Sequence, residues 1–253
     1  MTIIKAISIS DRKGTRKNNI EATRLIADFG LENDAHGGKW HRQVSFLAEE
    51  SIRTMRAKGL DVVAGNFAEN ITTEGIDLTS LEVGRHISIG GAELVISQLG
   101  KICHTRCAIY HQAGDCVMPR EGIFAVVVRG GAIRVGEGIE VGGKISSSAA
   151  IIGSKETEQT LGEELLRIVR EKFDPAFVRF DAITQKEGGS LPAILDDLTT
   201  TQKTTDIIVF DPTGNLGLAL AGYSRRENQH NCYQRETSSI YTCRSVAELE
   251  GLF

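Results

Sequence analysis

The sequence predicts a mainly β protein, an antiparallel β-barrel with short helices followed by a small α/β unit of βαβαβ order. Two observations carry the barrel. The runs HISI-GG-AELVIS and FAVVVR-GG-AIRV each read as a hairpin, because paired glycines allow the positive φ angles of a two-residue turn. Short strand-like runs also recur at close spacing with glycine turns between them, which suits a closed, curved antiparallel sheet. A third observation carries the second unit. Beyond Gly142-Gly143-Lys144 and the serines at 146–148, strand-like and helix-like runs alternate, the pattern of a parallel α/β fold. The expected domains are 1–143 for the barrel and 147–253 for the α/β unit.

Composition narrows the function classes. A formal charge of −4 over 253 residues argues against a general nucleic-acid binder, which needs a broad basic surface to track phosphates. The opening MTIIKAISIS lacks the long apolar core and cleavage site of a secretion signal. No apolar run approaches the ~20 residues that span a bilayer. A cytoplasmic protein that engages no membrane is therefore expected. Its five cysteines, an odd number in a chain without a secretion signal, favour reactive or metal-binding thiols over a disulfide framework.

Along the chain, Thr2 to Ser10 alternates apolar and polar residues as a half-buried strand does. The loop DRKGTRKN follows. Its Lys13, Gly14, Thr15, Arg16 and Lys17 read either as a solvated turn or as a phosphate-holding loop built from basic side chains and backbone amides. Asn19 to Phe29 reads mostly as strand. Asp34 and His36, in the glycine turn before Trp40 and His41, suit metal ligation or acid–base work, or a turn whose polar side chains satisfy the backbone. A helix is expected over about Ser45 to Lys58, with Ile52 and Met55 on its apolar stripe and Gly59 as its stop.

The segment Lys101 to Gly122 holds three of the cysteines. Cys103, Cys107 and His111, spaced by four, would share one face of a short helix. Lys101, His104 and Arg106 would favour a thiolate at Cys103, able to accept sulfur as a persulfide or to ligate a soft metal. Cys103, Cys107, His111 and Cys116 could instead form a mixed thiolate–imidazole metal site. In the plainest reading, Cys107 and Cys116 are small buried hydrophobes.

The combination of GLENDAHGGKWHRQVSFLAEE, GNFAENITTEGIDLTSLEVGRHISIGGAELVISQLGKICH and GDCVMPREGIFA closely resembles the MOSC family, the domain found at the C-terminus of molybdenum cofactor sulfurases and in stand-alone bacterial proteins. The resemblance spans about Thr2 to Gly142. It implies a MOSC-type β-barrel, a role in molybdenum cofactor metabolism, and a cysteine that carries sulfur or ligates molybdenum. That cysteine falls on Cys103, five residues after Gln98. The cofactor-binding set it implies is Lys13, Gly14, Thr15, Arg16, Asp34, His36, Asn66, Glu69, Asn70, Lys101 and Arg120. Asn33-Asp34 stands where the family usually has Gly-Asp, and Leu99-Gly100-Lys101 where it often has Pro-Arg after the glutamine. The ligand expected is molybdenum cofactor, with no pyridoxal phosphate site. The partners expected are a cysteine desulfurase-type sulfur donor and a molybdenum enzyme or cofactor-synthesis protein, with a homo-oligomer allowed. A noncatalytic molybdopterin or molybdate carrier or sensor, and a Cys/His metal-binding protein, are the alternatives.

The second half weakly resembles the first part of MogA/MoaB-type molybdopterin-binding domains, with their glycine-rich loop reduced to Pro212-Thr213-Gly214-Asn215-Leu216-Gly217. It is expected to be a degenerate or truncated domain. The polar residues after that loop are not expected to supply further βα units, and Cys232 and Cys243 are expected to be plain tail residues.

Overall fold

The computed structural model describes residues 1–13, 15–100, 116–144, 148–173, 178–183, 191–201, 204–213, 224–225, 232–235 and 238–252. The chain divides into two units, Met1–Lys144 and Ile145–Phe253.

In the first unit the strands are β1 (Ile3–Ile9), β2 (Asn18–Ile20), β3 (Ala22–Ile26), β4 (Gly30–Leu31), β5 (Val44–Ala48), β6 (Ile71–Glu74), β7 (Arg85–Ile89), β8 (Ala92–Leu99), β9 (Ile123–Arg129), β10 (Gly131–Arg134) and β11 (Ile139–Lys144), with helices α1 (Glu49–Ala57) and α2 (Met118–Glu121). Eight of them form one sheet in the order β11-β7-β8-β9-β5-β6-β1-β2, and β10-β3-β4 form a second. The large sheet curls until its ends meet. Gly138, just ahead of β11, bridges Ile3 of β1, and the Ile4 N–H donates to Glu137 O at 2.9 Å. Inside the curl lies an apolar core that includes Ile4, Phe46, Ile71, Ile87, Leu94 and Ala125. A second apolar cluster covers the outer face, where α1 and the following loop set Ile52, Met55, Val62 and Phe67 against Ala6, Leu47 and Phe124.

The predicted hairpin at Gly90-Gly91 is present, with Ile89 opposite Ala92. The one predicted at Gly130-Gly131 is not. β9 pairs with β8 and β5, whereas β10 pairs with β3. These glycines mark close approaches: a Cβ on Gly131 would sit 2.7 Å from Ala92 N, and one on Gly130 would sit 2.7 Å from Leu25 O. The chain turns a corner between sheets there.

The expected helix over Ser45 to Lys58 also needs correction. Its first residues are β5, all five buried, and the helix begins only at Glu49. A strand buried on both faces has no alternation, so its apolar run merges with the helix that follows. β5 and β6 run parallel because α1 carries the chain across, the one departure from antiparallel pairing among the described strands of this sheet.

The second unit comprises β12 (Ala149–Ser154), α3 (Lys155–Phe173), β13 (Val178–Ile183), α4 (Leu191–Asp196), β14 (Asp206–Phe210), β15 (Ser224–Arg225), β16 (Cys232–Arg235), β17 (Ser238–Cys243) and α5 (Val246–Glu250). Its sheet has the order β13-β12-β14-β17-β16-β15, and the first four strands are parallel. Leu165 and Val169 of α3 pack on one face with Ile151, Ile208 and Phe210. Leu191 and Leu195 of α4 cover the other with Ile152, Ile207 and Ile240. The expectation of a tail without further sheet is overturned, since β17 extends the parallel sheet beside β14 and α5 follows it. Serines and threonines in SSIYTC hide a buried strand whose Ile240, Tyr241 and Cys243 are inside. Burial pushes the Cys243 thiol up to about 12, so it is an inert core residue. No helix among the described residues is long and apolar enough to cross a membrane.

Gly131→Ala should destabilise the first unit by about 1–3 kcal/mol. Trp40 is the only tryptophan, so urea unfolding followed by its fluorescence would read that unit.

Candidate functional site

A polar row crosses the outer face of the curled sheet where its apolar cover ends. Gln98 pairs with Phe124, Phe124 with Ser45, and Ser8 with Asn19. Asn70 joins the two halves: its N–H donates to Ser45 O at 2.9 Å, while Ser8 N–H donates to Asn70 O at 2.7 Å. The Asn70 side chain continues the row, accepting from the Ser45 hydroxyl at 2.9 Å and donating to Ser8 O at 3.2 Å.

At the centre lies an ion pair. Lys17 Nζ contacts both Asp34 oxygens at 2.6 Å, and the two side chains are 0% and 1% exposed. Asp34 also accepts from the Ser10 N–H at 2.9 Å and from Asn70 Nδ2 at 3.1 Å. Asn33, just before it, takes a positive φ of 62°, so the chain turns into the site without the glycine the family pattern would place there. Burial alone would push the Asp34 carboxyl up. Lys17, the Ser10 N–H and Asn70 outweigh it and hold the group below its ordinary 3.8. Burial draws the Lys17 ammonium below its usual range against the upward pull of Asp34.

Glu69 braces the loop beneath. Fully buried, its carboxyl accepts from the Gly65 N–H at 2.6 Å, the Phe67 N–H at 3.1 Å and the Thr72 hydroxyl at 3.2 Å. Even so, burial pushes its pKa above the ordinary value. Gly65, at φ +87°, lies against Lys17: a Cβ there would be 2.7 Å from Lys17 O.

An aromatic and cationic rim adjoins the pair. Trp40 Nε1 donates to His36 O at 3.0 Å. The Lys13 ammonium lies 6.0 Å and the Arg42 guanidinium 4.9 Å from the Trp40 ring centre, within or at the range of cation–π attraction. Arg42 also lies 5.8 Å from the Phe124 ring. His41 Nε2 is 2.9 Å from Gln98 Oε1, and Gln98 Nε2 donates to Gly100 O at 2.9 Å. Gly100, at φ +68°, has no space for a side chain beside Pro119 O, and its N–H donates to Gly122 O at 2.8 Å. The bond holds together the strand ends that bracket residues 101–115.

Of the residues singled out in the sequence, Lys13, Asp34 and His36 are brought together here. Arg16 and Thr15 are exposed in the same loop. Lys17 does not belong to an exposed phosphate loop, because it is buried against Asp34. Glu69 and Asn70, expected in the cofactor-binding set, are buried and their side chains hold protein groups. Asn66 caps its own loop, accepting from Val63 N–H at 3.4 Å. Arg120 lies on α2 in an open groove of about 730 Å³, lined also by Thr54, Gly75 and Asp77. Cys116 is buried among Val117, Met118 and Phe124, the plain packing reading. Gly14, Lys101, Cys103, His104, Arg106, Cys107 and His111 lie outside the described residues. Sequence reasoning did not assign roles to Trp40, His41, Arg42 and Gln98. The only available signal was the WHR triplet, unusual in carrying an aromatic, an imidazole and a guanidinium directly before a buried strand. No group of three His, Cys, Asp or Glu poised for a metal occurs among the described residues.

Asp34→Ala should cost about 3–5 kcal/mol, because it leaves the Lys17 ammonium buried alone. Lys17→Met should cost less, because Asp34 keeps Ser10 and Asn70. The pH dependence has a definite sign. A lowered folded pKa makes the Asp34 contribution present above 3.8 and lost as pH falls through the lowered value. Glu69, raised, has the opposite sign: its contribution is present below 4.5 and lost as pH rises through the raised value. Urea midpoints should therefore fall more shallowly on the acid side in Asp34→Asn than in the wild type.

Residues 33–140 match the MOSC domain family model. Among solved structures, the YUAD protein from Bacillus subtilis is similar at 22% identity, with 56% of this chain and 96% of that one covered at a TM-score of 0.48. YiiM from Geobacillus stearothermophilus is similar at 19% identity, covering 56% and 75%, with a TM-score of 0.44. YiiM from Escherichia coli is similar at 18%, covering 57% and 72%, with a TM-score of 0.42. No curated protein matches the sequence.

Proposed function

We propose, on the premise that residues 33–140 form a MOSC domain, a family associated with molybdenum cofactor-related processes, that the first unit binds molybdenum cofactor at the Trp40 rim and carries sulfur for it as a persulfide on Cys103. The observation that carries the reading is the rim itself. Lys13 and Arg42 gather around one indole, a donor set suited to a phosphorylated ligand with a flat ring system. Arg16 adds charge in the adjoining loop, and the half-buried Trp40 offers an apolar face. The fit is one of chemistry: cations for the phosphate, ring faces for the pterin. When bound, the cofactor would supply a metal centre that takes up sulfur.

The chain's own step is thiol chemistry. The Cys103 thiolate attacks the terminal sulfur of a donor protein's cysteine persulfide. A new S–S bond forms at Cys103, the donor's S–S bond breaks, and the donor leaves as a thiolate that takes up the proton. The donor expected is of the cysteine desulfurase type, and the recipient a molybdenum enzyme or cofactor-synthesis protein. Asp34, held by Lys17, Ser10 and Asn70, acts as scaffold, and His36 stands beside it at the rim.

Incubating the intact protein with a cysteine desulfurase and cysteine should add one sulfur atom at Cys103 by mass spectrometry, and Cys103→Ser should abolish it. Label that survives in Cys103→Ser overturns the assignment. Absence of label on a protein that co-purifies with molybdopterin would instead establish the noncatalytic carrier.

A further inference from the structure

The open groove of about 730 Å³ between α1, α2 and the loop after β6 shares no residue with the Trp40 rim. Its ionisable side chains are Glu50 of α1, Asp77 of the loop, and Arg120 and Glu121 of α2. Three carboxylates against one guanidinium leave two negative charges in surplus, the wrong sign for a phosphorylated ligand. Two of the carboxylates are fixed through one oxygen. Glu50 Oε1 accepts from the Gly75 N–H at 3.0 Å, and Asp77 Oδ1 accepts from the Thr79 N–H at 2.9 Å and the Thr79 hydroxyl at 2.6 Å. An ionised carboxylate accepts about four hydrogen bonds, so both keep acceptor capacity.

Ser51 is an independent observation in the same groove. It is only 7% exposed and lines the groove wall, yet its hydroxyl makes no hydrogen bond among the described residues. Thr54 of the same helix, in contrast, donates its hydroxyl to Glu50 O at 3.1 Å. A hydroxyl buried to this degree ordinarily has a partner, so the one on Ser51 is left for whatever occupies the groove. Buried Ala48 and Leu78, with half-buried Ile76, bring the edge of the barrel core to the same place.

We infer that this groove is a binding site for a linear aliphatic polyamine, whose ammonium groups meet Glu50, Asp77 and Glu121, whose methylene stem lies on Ile76 and Leu78, and which donates an N–H to the Ser51 hydroxyl. The spacing of the carboxylates selects an extended cation. Among the described residues no three acidic, histidine or cysteine side chains are grouped to hold one metal ion, so the groove does not close on a cation of atomic size. A lysine side chain brings a single ammonium, whereas a polyamine carries several on one apolar stem and matches separated carboxylates around an apolar floor. The site is independent of the cofactor reading above.

Calorimetric titration of the full chain with spermidine at low ionic strength should show one saturable site per chain. Asp77→Asn combined with Glu121→Gln should weaken it about tenfold, the scale expected for two exposed charge pairs. Ser51→Ala removes a hydroxyl that no protein group uses, so it should weaken binding about threefold while the urea midpoint does not fall. A merely structural Ser51 would lower the midpoint and leave the affinity alone. Heat that does not saturate, or an affinity unchanged in the double variant, overturns the site. Displacement of spermidine by an equal concentration of magnesium, or of a trilysine peptide, overturns the polyamine assignment. Should the double variant not fold, Ser51→Ala and the magnesium competition decide.

Discussion

The buried Lys17–Asp34 pair is the constraint on which the rest of the rim depends. Through Asp34 it ties three distant points of the chain: the end of β1 at Ser10, the approach to β2 at Lys17, and the entry to β6 at Asn70. Such a pair is poor evidence for added stability, since desolvating two charges offsets most of their attraction. Its effect is geometric. Once both groups are inside, neither can leave without exposing the other, and the loops that carry them are held in one arrangement. The Lys17 N–H extends the device by donating to Gly65 O at 3.0 Å, and Glu69 then fixes Gly65 and Phe67 from below. The rim residues Lys13, His36 and Trp40 stand on this frame.

The barrel interior and the site are separate uses of the same strands. Along β5, Val44, Phe46 and Ala48 point into the core, while Leu47 joins the outer cover and Ser45 joins the polar row. Alternation alone thus gives one strand a packing face and a face that carries polar work. A register irregularity in β8 between Ile96 and Gln98 breaks that alternation close to the rim. Ser97, within it, donates its hydroxyl to His41 O, and Gln98 reaches His41 Nε2. Irregularities of this kind re-aim side chains next to functional surfaces.

Strand order along the chain was legible where apolar and polar residues alternate in the sequence, as in Ile7-Ser8-Ile9 of β1 and Ile87-Ser88-Ile89 of β7. It failed where both faces are covered. β5 disappeared into α1, and β17 disappeared into a run of serine and threonine. Glycine pairs were ambiguous for a physical reason: Gly90 adopts a turn conformation with φ 56°, whereas Gly130 and Gly131 are needed only for lack of a side chain, and a sequence does not distinguish the two. The site was half legible. Lys13, Asp34 and His36 stood out by type, but Lys17 looked like one more surface cation. What separates it from Lys13 is a carboxylate 17 positions along the chain, a contact that exists only after folding. Glu69 and Asn70 were noticed by motif, and their polar atoms hold protein groups, because motifs specify that residues are needed but not whether a ligand or the backbone needs them.

These assignments divide the labour of the site. Asp34, Glu69 and Asn70 have their polar atoms occupied by protein groups, so they shape rather than react. Trp40 and Arg42 supply surface and charge. Among the described residues the rim gathers two cations around one indole. The bond from Gly100 N–H to Gly122 O lies beside Gln98, a residue of the rim itself. A frame fixed by a buried ion pair suits the proposed reading, because a rim that selects a ligand needs side chains held in one geometry.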